Sequence, residues 1–207
     1  MKQHPKRSGD IRERLLDAAR ELFVRQGYDA TSVRDITTRA GANLGAITYH
    51  FGSKEALYHS VLASVARPLA DRVAAAGKSA EGPLDRIEAI VRAFVEHVTT
   101  QPDAPSLLVR ELPNRRPLPP PLAETMKRNM GAIMDAIVAG QRDGSVRAGD
   151  PLLLTLAVAS QPFFVGVAGR VLREVGGLDP RDPANRERVA HHAAQAARAA
   201  VANPTVT

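Results

Sequence analysis

Residues 32–54, SVRDITTRAGANLGAITYHFGSK, constrain the fold of this 207-residue chain more than any other stretch. Val33, Ile36 and Ala40 recur at i, i+3 and i+7, the spacing that lines one face of a helix over about Ser32–Ala40. Gly41 follows, a residue that can leave a helix with positive φ at no steric cost. Asn43 is a favoured N-cap, so a second helix is expected over about Leu44–Phe51. Two short helices around a glycine turn form a helix-turn-helix, whose second helix can enter the major groove of DNA.

The rest of the chain favours an all-α protein. Hydrophobic residues make up 44%, enough for a real core, whereas aromatics are only 4% and alanine is frequent in segments with helical patterning. Cysteine is absent, which excludes a disulfide scaffold, thiolate zinc sites and a cysteine nucleophile, and fits a cytoplasmic location. The net charge is +6. Residues 1–59 hold 10 Lys+Arg against 7 Asp+Glu and residues 60–207 hold 18 against 15, so positive charge is denser at the N-terminal end. That agrees with nucleic-acid binding without establishing it.

Boundaries are legible in caps and breakers. Residues 1–9 form a basic arm without the apolar stretch of a secretory signal. Asp10, with Glu13 three residues on, is placed to cap a first helix. Ser53 caps a fourth, expected to reach about Ala76 and to bend near Pro68. A fifth runs over about Pro83–Thr100, a turn over Gln101–Pro105, and a short sixth over Ser106–Leu112. Five of the nine residues 113–121 are proline, which predicts an extended connector. A seventh helix spans about Leu122–Asp143, with Met126, Met130, Ile133 and Ile137 on one face. Asp150-Pro151 and Asp182-Pro183 are caps followed by proline at the first helical position. They open helices reaching about Val175 and Ala202. The uncharged run 151–169 is long enough to raise a membrane span, but Thr155, Ser160, Gln161 and Pro162 interrupt it, and a buried interface helix suits it better. The count is about nine helices.

The N-terminal quarter resembles the DNA-binding domain of TetR-family transcriptional repressors. The residues that carry the likeness, over about Ile11–Leu62, begin with the stripe Ile11, Leu15, Ala18, Leu22 and Phe23 and its Gly27-Tyr28 exit. Thr31-Ser32, Ile36 to Gly41, Gly45, Tyr49-His50-Phe51 and Ser53 to Leu57 continue it. Thr37 stands where a small apolar residue is usual. Thr48 stands where the family often has the first tyrosine of its recognition helix, which leaves Thr48 and Tyr49 as alternatives for a phosphate contact. The resemblance implies a helix-turn-helix DNA-binding domain over residues 10–52 and a helical ligand-binding and dimerisation domain over 53–207. The chain would then be a repressor that binds a palindromic operator in double-stranded DNA as a homodimer and is released by a small-molecule effector.

Residues at the start of a recognition helix reach base edges, and helix N-termini and basic side chains hold phosphates. That assigns Asn43, Leu44, Gly45, Ala46 and Thr48 to the groove. Leu44 and Ala46 carry no donors and can only meet thymine methyls or pack closely, so readout rests on Arg34, Asn43 and Thr48, and on DNA shape. Ser32, Tyr49, His50 and Lys54 are the phosphate candidates, with packing of Tyr49 on the first helix and a structural role for His50 as the alternatives. By the resemblance, Arg34, Thr48, Tyr49, His50 and Lys54 fall at positions that commonly face DNA. Lys2, Lys6 and Arg7 are available for the minor groove or form a tail without a role.

Two-fold pairing is expected through the helices over 150–175 and 182–202. The first is nearly uncharged and carries Gly166 and Gly169; the second carries Ala190, Ala193, Ala194, Ala197 and Ala200. The alternative is that these faces form the core of one chain. An effector cavity is expected from Leu62, Ala66, Phe94, His97, Leu108, Met126, Met130, Phe163 and Phe164; each of these can equally be plain core. No cofactor, metal site or catalytic residue is expected. There is no nucleophile elbow, and the adjacent His191 and His192 point about 100° apart on a helix. Two further readings stay open: an architectural DNA-binding protein, and a helix-turn-helix regulator without a small-molecule ligand.

Overall fold

The computed structural model describes residues 8–101, 103–111 and 117–204, which hold ten α-helices. These are α1 (Ser8–Gln26), α2 (Val33–Ala40), α3 (Ala46–Phe51), α4 (Lys54–Ser79), α5 (Pro83–Thr100), α6 (Asp103–Glu111), α7 (Pro120–Asp143), α8 (Pro151–Val167), α9 (Gly169–Glu174) and α10 (Pro183–Val201). No strand occurs among the described residues; one antiparallel bridge pairs Val146 with Ala202. None of the described helices is long and apolar enough to cross a membrane.

Local chemistry fixes several of these ends. Ser32 accepts a hydrogen bond from the Asp35 amide and the Asp35 carboxylate accepts from the Ser32 amide, a complete capping box at the start of α2. At its end Gly41 adopts φ 60° and ψ 41°. Its N–H donates to the Thr38 carbonyl and the Ala42 N–H to the Thr37 carbonyl, the pairing that satisfies the last open carbonyls of a helix. Asp150 and Asp182 cap α8 and α10 through two backbone amides each, with proline next in line.

Four expectations are corrected. The helix expected to reach Val175 ends at Val167, and α9 follows a break at Ala168. Residues 103–105 are the first turn of α6, where Pro105 needs no N–H, rather than part of a turn. The seventh helix starts at Pro120, so only 117–119 of the proline-rich connector are non-helical among the described residues, and 112–116 lie outside them. The first helix begins at Ser8, ahead of Asp10; the arm residues Lys2, Lys6 and Arg7 also lie outside the described residues.

Two hydrophobic cores result. Leu15, Ala19, Leu22 and Phe23 of α1 close on Ile36 and Ala40 of α2, Ala46 and Ile47 of α3, and Leu57, Tyr58 and Val61 of α4. Thr37, buried in the same region, turns its hydroxyl back to the Val33 and Arg34 carbonyls, so the polar atom is satisfied inside its own helix. The second core joins α4, α5, α7, α8 and α10 through Val73, Ile87, Val91, Val95, Ile133, Ile137 and Val158. Ala190, Ala193, Ala194 and Ala197 lie buried in this second core, so this alanine stripe packs within the chain; Ala200 alone of the five is exposed. Gly166 has the same inward role. A Cβ there would stand 3.0 Å from the Val98 Cβ and 3.1 Å from the Pro105 Cγ, so its lack of a side chain seats α8 on α5 and α6.

α4 runs through both cores, and α6 is pinned to the N-terminal one. Arg20 of α1 donates to Asp103 at 2.7 Å, Arg110 donates to the Arg25 carbonyl at 3.0 Å, and the Tyr58 hydroxyl donates to Glu111 at 2.5 Å. Burial and then the Glu111 carboxylate hold the Tyr58 hydroxyl well above the usual phenol range, so it remains a donor at physiological pH.

Candidate DNA-reading face and bundle cavity

α3 is held by its buried side and offers the other. Ala46 and Ile47 enter the core, while Leu44, Gly45, Thr48 and Tyr49 are exposed, Leu44 at 57% and Tyr49 at 82%. Tyr49 therefore does not pack on α1. Its ring meets His50 edge-on, with centroids 4.8 Å apart. Arg34 and Asn43 are also exposed, so residues of α2, the turn and α3 are open to solvent in one helix-turn-helix unit. Lys54 sits at the first position of α4, with Nζ 4.2 Å from the centre of the Tyr28 ring; the cation–π contact holds the ammonium in place. Arg12 lies over the Phe51 ring at 5.0 Å and steadies the far end of α3.

Three sequence-derived assignments change. Ala46 is only 8% exposed and belongs to the core, so its side chain cannot touch a base. Asn43 is not the N-cap. That position is Gly45, which makes no side-chain cap bond, and Asn43 contributes its carbonyl to the Ala46 amide at 3.1 Å in the turn before the helix. Ser32 already uses its hydroxyl as the α2 cap, and its hydrogen bonds pull the Asp35 carboxyl below the usual range.

The second feature is a cavity of about 430 Å³ in the bundle. Leu62, Ala66, Phe94, Leu108, Met126, Met130 and Phe163 line it, seven of the nine residues expected there. His97 and Phe164 do not. His97 is 1% exposed in the core. Burial and then the Arg72 charge push its imidazole below the usual range, toward the neutral form. Phe164 is 64% exposed on the outside of α8. The sequence reading missed Thr125 and Asn129, polar residues one turn apart on α7 that also line the cavity. Their signal is a polar pair at i, i+4 set beside the Met126 and Met130 stripe. Also missed were Val65 and Leu107, which with Leu62 line the cavity and belong to the N-terminal core at once. Among the described residues no group of three or more His, Asp or Glu is placed to hold a metal ion.

Comparison with known proteins places this architecture. Residues 15–61 match the model of bacterial regulatory proteins of the tetR family, and residues 83–196 match the tetracyclin repressor-like C-terminal domain. The chain belongs to the tetR family of bacterial regulatory proteins, a family of DNA-binding helix-turn-helix transcriptional regulators rather than enzymes. Among curated relatives, it is 40% identical over 60 residues to the HTH-type transcriptional regulator SrpR of Pseudomonas putida, 29% of this chain and 28% of that protein. It is 32% identical over 94 residues to the HTH-type transcriptional repressor KstR2 of Mycolicibacterium smegmatis, 45% and 46% of the two chains. The matched segments thus span less than half the length of these relatives. Among solved structures, a tetR-family regulatory protein from Rhodococcus RHA1 superposes with a TM-score of 0.76 at 23% identity, covering 93% of this chain and 98% of the other. SmeT, the repressor of the Stenotrophomonas maltophilia multidrug efflux pump SmeDEF, superposes at 0.69 with 20% identity over 96% and 95%. At these identities the superpositions establish the shared fold.

Proposed function

We propose that this chain is a ligand-responsive transcriptional repressor that binds a palindromic operator as a homodimer in the cytoplasm and is released by a small molecule. The observation that carries the reading is the cavity: its described lining is almost wholly apolar, and Leu62, Val65 and Leu107 are common to it and to the helix-turn-helix core. A molecule that enters pushes on side chains which also seat the reading head. Residues 10–52 serve as the DNA-binding domain and 53–207 as the ligand-binding and dimerisation domain, with 1–9 as a basic arm. Arg34, Asn43 and Thr48 read bases, Leu44 meets thymine methyls, and Gly45 lets the backbone come close. Tyr49, His50 and Lys54 hold phosphates.

The dimer forms through α8 and α10. Leu152, Leu153 and Leu156 of α8 are exposed large aliphatics and Phe164 adds an exposed ring, an apolar surface of the kind that obligate partners cover. Release is a population shift: the effector binds more tightly to a conformer in which α4, carrying Pro68, holds the two recognition helices off the one-turn spacing of the half-sites.

Footprinting on the DNA upstream of its own coding region, at two salt concentrations and with competitor DNA, tests the reading. A protected pseudo-palindrome that survives competitor supports it; smeared binding that vanishes with salt supports an architectural protein instead. Lys54→Ala is expected to weaken binding evenly across sequences and to flatten the salt dependence by about one in slope. Arg34→Ala is expected to change the preferred base at one position of each half-site, and an unchanged preference in a selection experiment removes it from base readout.

A further inference from the structure

Asn129 is 7% exposed, lines the cavity, and its Oδ1 is buried without a hydrogen-bond partner among the described residues. A buried amide oxygen left so carries a desolvation penalty that a donor placed against it removes. The other polar side chains of the lining are Thr125, one turn before Asn129 on α7, and Ser160, whose hydroxyl already donates to the Ala157 carbonyl at 2.8 Å. The described lining contains no Asp, Glu, Lys, Arg or His. An ionised guest would lose its hydration there and find no opposite charge, at a cost far above that of a neutral one. The Met126 and Met130 thioethers adapt to the shape of an apolar body. The size, about 430 Å³, lies in the range of pockets that enclose whole small molecules.

We propose that the cavity selects an uncharged, largely apolar molecule bearing a hydroxyl or N–H group, and that Asn129, with Thr125 beside it, is its polar anchor. This rests on the cavity being the effector site and names the chemical class that site takes. An alcohol suits the pair best: its O–H donates to the Asn129 oxygen and its oxygen accepts from Thr125. Shape and apolar contact then set affinity, and the amide sets orientation.

The test is calorimetric titration of the intact chain at pH 7 with four matched probes: 1-nonanol, its methyl ether, nonanoate and nonylamine. The alcohol is expected to bind about tenfold tighter than the ether, which cannot donate, and far tighter than either ion. Asn129→Leu, which replaces the orphan amide by an apolar side chain of similar size, is expected to raise the unfolding temperature of the free protein and to bring alcohol and ether within about twofold of each other. The comparison in the unmodified protein stands even if that variant does not fold. Equal affinity for alcohol and ether, or tight binding of nonanoate or nonylamine, overturns the proposal and leaves the cavity an effector site of another selectivity. No heat from any probe, with the methyl NMR signals of Met126 and Met130 unmoved, overturns the effector-site reading beneath it as well.

Discussion

Around Phe23 the side chains of α1 to α4 close on one another; around Met130 those of α4, α7 and α8 stand back and leave about 430 Å³. The first region is locked by aromatic contacts, with Phe23 and Tyr58 edge-on at 4.9 Å and Tyr28 and Tyr58 at 4.8 Å. The second is lined by methionine, leucine, the separate rings of Phe94 and Phe163, and a lone amide. Under the function proposed above, the difference is one of task. A head that must match the spacing of a rigid duplex gains from having one packing, whereas a wall that meets a guest gains from having several.

Truncation offers the sharpest way to break that contrast. Phe23→Ala is expected to cost about 3–5 kcal/mol in chemical denaturation, because a filled core cannot close over the hole. Gly41→Val comes next. A β-branched residue forced to φ 60° is expected to cost about 1–2 kcal/mol and to loosen DNA binding by shifting α3. Met130→Ala is expected to stay below the ~2 kcal/mol at which losses for a packed methionine begin, because part of its surface already faces a void. If it cost as much as Phe23→Ala, the two regions would be equally tight and the contrast would fall.

His97 sharpens the comparison through pH. Its folded-state pKa is lowered by burial and by Arg72, so between that value and the ordinary histidine pKa the unfolded chain binds the extra proton. The bundle is therefore at full stability above the ordinary histidine pKa and loses it as pH falls through and below that value. Thermal melts across this range are expected to show the decline, and His97→Phe to flatten it. The smallest effect on folding belongs to the surface: Tyr49→Ala is expected to leave stability within about 0.5 kcal/mol while weakening operator binding, measured by denaturation and gel shift on the same preparation.

What could be read in advance follows from how local each signal is. The end of α2 depends on Gly41 acting on its own backbone, and it was legible to the residue, whereas the start lies one residue later than expected because Ser32 and Asp35 form a capping box that the sequence reading did not use. The start of α3 depends on how the core takes up Ala46 and Ile47, and the capping rule placed it two residues early with Asn43. Along α7 and α4 the polar residues reveal which face is inward, so Leu62, Met126 and Met130 could be placed at the cavity. α8 has almost no polar residues to set its phase, and Phe163 and Phe164, about 100° apart, received the same role although one lines the cavity and the other is outside. The alanines of α10 show that something packs closely against them, but the sequence does not say whether it is the same chain or a second copy; here it is the same chain.

Leu62, Val65 and Leu107 have neighbours in both regions. An engineer who wished to fit a chosen small molecule into this cavity would find its wall divided by that fact. Phe163, Met126 and Met130 can be varied in libraries with the DNA half untouched. The three shared leucine and valine positions form a seam, where any change in guest size has to be matched by a compensating change around α1 and α4 if the operator is still to be read.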